Sequence, residues 1–362
     1  MQIIENRRAL HRIPELEWAL PKTMEYLRAA LSGLNCRVFE PLPGALCAWF
    51  DFGAKEAIAF RADADALPIF ERSGASYASS HPGQMHACGH DGHMAIALEL
   101  ARRLSKKEYL GSNVLLIFQP GEESPGGAKP ICDTGVLKEH NVKAVFGLHL
   151  WPGLPAGEVY SREQELMARS SEVNVDIYGK SAHLAKAAEG IDAVAAGAEF
   201  YRRCMAMEAA LPETVYRLLK FGKFHSGTAR NALSAHTHLE GSLRAFQDDV
   251  FLSLRDGLLD IGDEIEAEFG CKVNLQFSEG YPAILNPGDL FRKVMACAPF
   301  RLLKSPSMTS EDFSWYQRYA DGMFFFLGLG DVPALHTDNF DFDEQILVKG
   351  ADFFEKLAER FQ

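Results

Sequence analysis

Met85-His86-Ala87-Cys88-Gly89-His90-Asp91-Gly92-His93-Met94 is the stretch from which the rest of the chain can be read. It places a thiol, three imidazoles and a carboxylate within one short segment. Few structural needs gather those groups. Metal coordination does, because thiolate, imidazole and carboxylate all donate lone pairs to a borderline cation. The interleaved glycines let the backbone turn tightly enough for neighbouring side chains to face one ion. Taken alone, the segment can also be a polar loop capping the helix that follows.

Immediately downstream, Ile96, Leu100 and Leu104 recur at helical spacing, which predicts a helix over 94–105. Residues 113–119 form a continuous apolar run, as expected of a strand buried on both faces. That run feeds Pro120-Gly121-Glu122-Glu123-Ser124-Pro125-Gly126-Gly127. Residues 143–150 form a second such strand, with His149 near its end. Upstream, 46–52 and 57–61 read as shorter strands, the latter ending in Arg61-Ala62-Asp63-Ala64-Asp65-Ala66-Leu67-Pro68. Charged residues at the end of an apolar strand often mark a site at the carboxyl edge of a sheet. Residues 3–33 read as an amphipathic helical start broken at Ile13-Pro14, with a second helix over 22–34. This alternation is that of an α/β layer with a central mixed sheet flanked by helices.

The pattern changes near residue 168. Val173, Val175 and Ile177 alternate as on a half-exposed strand. A helix over 191–207, strands over 215–224 and 235–243, a helix over 248–269 and a strand over 272–277 follow. The order β-α-β-β-α-β is that of a ferredoxin-like α+β module. Apolar strand and helix signals then return, including 322–328 and a closing helix over 343–361. The reading is therefore a discontinuous catalytic domain, 1–167 with 280–362, interrupted by an inserted domain, 168–279, with a possible hinge at the two crossings.

Composition bounds the function. A chain of 362 residues with 47% hydrophobic and 24% charged residues is globular and large enough for two domains. Its net charge of -12 argues against nucleic acid as the main partner. The charged opening is not expected to act as a signal peptide, and no apolar run is long enough to predict a membrane span. Seven scattered cysteines suit a reducing cytoplasm rather than a disulfide framework.

The residues that could carry chemistry fall in loops or at predicted strand ends: Cys88 and His90, the Glu122–Glu123 pair, His149 and His336. Adjacent carboxylates repel unless cations compensate. One Glu can coordinate a metal while the next faces a bound water as general base. Cys88, His90, Glu123, His149 and His336 make five donors, more than one tetrahedral ion needs. They would suit two ions about 3.5–4 Å apart. In the inserted module, His183 could donate to a developing oxyanion, and Arg244 could clamp a substrate carboxylate. Singly, His149, His336, His183 and Arg244 also fit ordinary structural roles.

Assembled, these motifs resemble the aminoacylase/carboxypeptidase superfamily of metal-dependent amidohydrolases, in the branch holding hippurate hydrolase, the auxin-conjugate amidohydrolases and N-acetyldiaminopimelate deacetylase. The likeness runs from His11–Leu16 through Arg61–Pro68, Cys88–His93, Gln119–Glu123, Gly179–His183, Gly227–Asn231, Gly241–Phe246 and Ser310–Phe313 to His336. It implies two divalent metal ions (Zn, Mn, Co or Ni) held by Cys88, His90, Glu123, His149 and His336, with Cys88 bridging. It implies Glu122 as general base, His183 as oxyanion donor, often to a partner subunit, and Asn231 and Arg244 as substrate contacts. It also implies that the inserted domain is a lid and homodimer interface. Where relatives carry Ala, Pro, His and Pro, this chain has Leu184, Ala187, Ala188 and Ala193, which puts the substrate class in question. The expected activity is hydrolysis of N-acyl amino acids, of N-acetyl or N-benzoyl type and including N-acetyl-diaminopimelate. The alternatives are a dipeptidase or carboxypeptidase with the same metals, and a catalytically idle ligand-binding relative.

Overall fold

The structure is a computed structural model and describes residues 1–361. Its strands are β1 (Arg37–Phe39), β2 (Leu46–Phe50), β3 (Ala57–Asp63), β4 (Asn113–Gln119), β5 (Val142–Trp151), β6 (Val159–Ser161), β7 (Gln164–Met167), β8 (Arg169–Tyr178), β9 (Arg217–Ser226), β10 (His236–Ala245), β11 (Lys272–Phe277), β12 (Ile284–Asn286), β13 (Arg301–Leu302) and β14 (Asp321–Gly328). The chain divides into two compact units. The first holds Met1–Leu166, Leu285–Ser305 and residues from 312 onward; the second holds Met167–Ile284 and Pro306–Glu311. Residues 306–311 belong to the second unit, not to the first as the sequence pattern predicts. They are tied there by backbone: the Ala168 amide donates to the Thr309 carbonyl at 2.9 Å.

In the first unit an eight-stranded mixed sheet runs in the order β1-β2-β4-β3-β5-β14-β6-β13. β4, β3, β5 and β14 are mutually parallel neighbours. β3 and β4 are buried at every residue, which explains their unbroken apolar character. The register aligns Asp63 with Gln119 and His149 with Phe326. The segments after β3 and β4 therefore leave the sheet at the same carboxyl edge where His149 lies. Leu10, Leu27, Phe60, Leu100, Phe146, Phe325 and Phe354 belong to the core that joins this sheet to its helices.

The helix carrying Ile96, Leu100 and Leu104 spans His90–Leu104, so it begins four residues earlier than its apolar periodicity predicts. His90 and His93 thus lie in its first turn rather than in a loop. Gly89, at φ +83°, supplies the left-handed step into the helix. At Gly92 an added Cβ would come within 2.6 Å of Leu150 Cδ1, so packing against β5 requires glycine inside the turn. The closing helix starts later than predicted: a short turn at Glu344–Ile346, capped by the Asp343 side chain, precedes Leu347–Arg360.

The second unit is an antiparallel sheet in the order β11-β8-β10-β9. Counted along the module this is 4-1-3-2, the ferredoxin-like arrangement. The helices Ala193–Ala210 and Asp248–Phe269 bury Phe200, Leu254 and Leu258 with Val173, Val175, Ile177, Leu239 and Leu243. The opposite face of the sheet carries polar side chains. Among the described residues no helix is long and apolar enough to cross a membrane.

Candidate active site and metal centre

The six candidates of the first unit, Cys88, His90, Glu122, Glu123, His149 and His336, come together at the carboxyl edge of its sheet. Their donor atoms form three overlapping groups, each within 4.8 Å: Cys88 with His90 and His149, Cys88 with Glu123 and His336, and His90 with Glu122 and Glu123. Cys88 Sγ lies 3.3 Å from both His149 Nε2 and His336 Nε2. His336 Nε2 is 3.2 Å from Glu123 Oε1, and His90 Nε2 is 4.0 Å from Glu122 Oε2.

Hydrogen bonds behind the donors fix which atoms face the cluster. His90 Nδ1–H donates to the Asp65 carbonyl at 2.8 Å, and His149 Nδ1–H donates to the Leu150 carbonyl at 2.7 Å. When neutral, each ring then turns an Nε2 lone pair inward, the tautomer that a metal ligand needs. His93 is different. Its Nδ1 bonds Asp63 at 2.5 Å, and its Nε2 accepts from the Leu150 amide at 2.9 Å. Both ring nitrogens are committed, so His93 braces β5 beside His149 instead of donating to the cluster.

The carboxylates of the strand-end motif hold the other loops. Asp65 accepts from the amides of Glu122 and Glu123 at 2.9 and 3.0 Å. Buried Asp312 accepts from Arg61 at 2.7 Å, from Gln119, and from the amides of Gly127 and Ala128. Together they pin both ends of the Pro120–Gly127 turn. Behind the first turn of the His90–Leu104 helix, fully buried Arg7 bonds Asp91 at 2.8 Å, and His11 Nδ1 bonds the same carboxylate oxygen at 2.8 Å. The sequence pattern marks Arg61–Pro68 without indicating their partners, and carries no signal for Arg7.

Electrostatics tests whether cations fit. Burial pushes the Cys88 thiol well up, and the negative charges of Glu123, Glu122 and Asp63 add to this. A thiolate there needs positive charge beside it. Burial opposes a charge on His90, but Asp63, Asp65 and Glu123 outweigh it and lift its pKa to about 10. The negative charge around His90 therefore favours a cation there. His90 Nε2 is buried and without a hydrogen-bond partner. A soft donor, three imidazoles and paired carboxylates sharing one thiol fit a pair of divalent cations.

The other three candidates, His183, Asn231 and Arg244, belong to the second unit. His183 is exposed, and its Nδ1 accepts from the Ala185 amide at 3.1 Å. The proton of a neutral His183 then sits on Nε2, facing outward as a donor. Asn231 is exposed, and its carbonyl accepts from the Leu184 amide at 3.1 Å, joining the two loops. Arg244 donates to the Met308 carbonyl at 2.6 Å and to Ser242 Oγ, with no carboxylate bonded to it among the described residues.

An α/β fold with a cysteine, histidine and glutamate cluster at the carboxyl edge of its sheet, largely buried apart from the exposed His336, fits a metal-dependent hydrolase acting on amides. Residues 59–360 match peptidase family M20/M25/M40, and the chain belongs to that family. It is 35% identical to an N-acetyldiaminopimelate deacetylase of Lacticaseibacillus casei over 363 residues, covering 96% of this chain and 94% of that protein. A Bacillus subtilis structure described as a dinuclear metal-binding peptidase of the M20 family superposes with a TM-score of 0.85 at 28% identity, covering 98% of this chain and 96% of the other. A Staphylococcus aureus structure reaches a TM-score of 0.92 at 28% identity, covering 100% and 96%.

Proposed function

We propose that the protein hydrolyses the amide bond of N-acyl amino acids, with short acyl groups such as acetyl preferred and N-acetyl-diaminopimelate among the substrates to test. The observation that carries this reading is the sharing of Cys88 between two donor groups, with Glu122 beside them and its amide fixed by Asp65. The deacetylase name of the Lacticaseibacillus relative supports the acetyl preference.

Cys88, His90, Glu123, His149 and His336 would hold two divalent ions, Zn, Mn, Co or Ni. When bound, such ions polarise an acyl carbonyl and acidify water toward a pKa of about 7. Glu122 takes the proton of the attacking water and delivers it to the leaving amine. His183 Nε2–H steadies the tetrahedral oxyanion, supplied when the second unit closes on the substrate or by the same unit of a partner subunit in a homodimer. Arg244 pairs with the substrate carboxylate, while Asn231, joined to the His183 loop at the opposite end of β10, contacts the substrate alongside His183. The seven unpaired cysteines fit a cytoplasmic location.

A panel of acetyl-, benzoyl- and aminoacyl-amino acids, assayed with each metal titrated in, tests the reading. Turnover of acetyl substrates ahead of benzoyl ones, abolished by a chelator, is expected. Preference for aminoacyl substrates would make the protein a dipeptidase, and inertness with all four metals would make it a ligand-binding relative.

A further inference from the structure

The open face of the second unit's sheet carries a separate group of metal-ligating side chains. His236 and His238 alternate on β10 and so project from the same face. Asp176 on β8 stands directly opposite His238, and Tyr178 opposite His236. His236 Nε2 and His238 Nδ1 both lie 2.8 Å from one oxygen of Asp176. All three donor atoms fall within 4.8 Å of one another.

We propose that His236, His238 and Asp176 form an accessory site for a divalent transition-metal ion such as Zn²⁺, independent of the cluster around Cys88. Two imidazoles and a carboxylate are a ligand set suited to zinc, with open positions for water. The surroundings match what a ligating histidine requires. His238 Nε2 lies 3.0 Å from Glu240 Oε1, and Glu240 is bonded in turn by Lys223. A His238 that keeps its proton on Nε2 donates it to Glu240 and frees Nδ1 for the ion, a carboxylate–histidine–metal relay. The His236 ring stacks on Tyr178 at 5.0 Å and 19°, which fixes its plane. His225 on β9 faces His238 across the strands and adds an exposed imidazole at the rim. Without an ion, both ring nitrogens of His238 face carboxylates, and only a doubly protonated ring satisfies both. Side chains of Asp176 and His238 are 20% and 26% exposed, so the ion would exchange readily with solution.

The test compares zinc bound per chain in the full-length protein and in a His236→Ala, His238→Ala double variant, dialysed against buffers of increasing free Zn²⁺. The site predicts one ion fewer per chain in the double variant, with amide turnover unchanged. Glu240→Gln should weaken only this ion, by about 10–100-fold, if it acts as the relay carboxylate. Should the double variant misfold, Asp176→Asn, with the His236 and His238 ring signals followed by NMR as zinc is added, carries the same test. Equal zinc in variant and parent over the whole range, ring signals of the parent indifferent to zinc, or the same zinc response in parent and Asp176→Asn, would overturn the proposal.

Discussion

The two units hold their candidate functional groups in opposite ways. In the first, Cys88 and the side chains around it are largely buried apart from the exposed His336; His90 and the amides of Glu122 and Glu123 are held by Asp65, and the His149 ring by the Leu150 carbonyl of its own strand. In the second, His183 and Asn231 are exposed on linked loops, and Arg244 bonds a backbone carbonyl and one hydroxyl. The first arrangement is set before any ligand arrives, which suits the geometric demands of ion coordination. The second leaves donors available to be ordered by a substrate, which suits binding. The physical difference lies in backing: carboxylates and buried strands in one case, loops and solvent in the other.

The sharpest way to break this contrast is at Cys88. Cys88→Ala removes the donor common to two groups, so metal content should fall and turnover drop to background; full metal retention by elemental analysis would show that the thiol is not shared. Arg244→Ala should lower kcat/KM about 10–100-fold through KM, with metal content unchanged, as expected for loss of a charge-assisted bond to the substrate. Metal loss in that variant would erase the distinction between the units. Asp65→Asn keeps the size of the side chain but weakens the grip on the Glu122 and Glu123 amides. It should cost about tenfold in metal affinity or activity, the low end for groups behind a metal site.

A smaller effect concerns the buried support under the His90–Leu104 helix. Burial opposes the His11 charge, but Asp91 and Glu71 outweigh it and raise its pKa to about 9. His11 therefore binds its proton more tightly in the folded protein than in the unfolded chain, where it titrates near 6.5. Its contribution is fully present below pH 6.5 and is lost as pH rises through 9, on the order of 3 kcal/mol. Urea unfolding at pH 6.5 and 9.5 should show that fall, and His11→Asn should flatten it; the same pH dependence in the variant would place the effect elsewhere.

Much of this architecture is legible in the sequence for identifiable reasons. β4 and β5 are apolar runs because both faces are covered, and the alternation at Val173, Val175 and Ile177 marks a sheet with one open face. The Cys88–His93 and Glu122–Glu123 motifs are legible because their chemistry is dense and local. What escapes is whatever depends on tertiary contact. The start of the helix at His90 rests on Gly92 packing against Leu150, far along the chain. The separate duties of His90 and His93 rest on which atoms their Nδ1 groups meet, and three residues of spacing cannot show that. Arg7 is buried only because Asp91, Asp341 and Glu344 surround it. β6 and β13 are too short to leave a periodic trace.

Glu122 is the point on which the proposed catalysis turns, because it alone is proposed to move a proton while its neighbours are proposed to hold ions. Glu122→Gln is nearly isosteric and keeps the amide that Asp65 grips. With kcat and bound metal measured on the same preparation, the account predicts a fall in kcat of about 10²–10⁴-fold with metal content unchanged. A variant that keeps its turnover, or that loses its metal along with it, would contradict the assignment of Glu122 as the base.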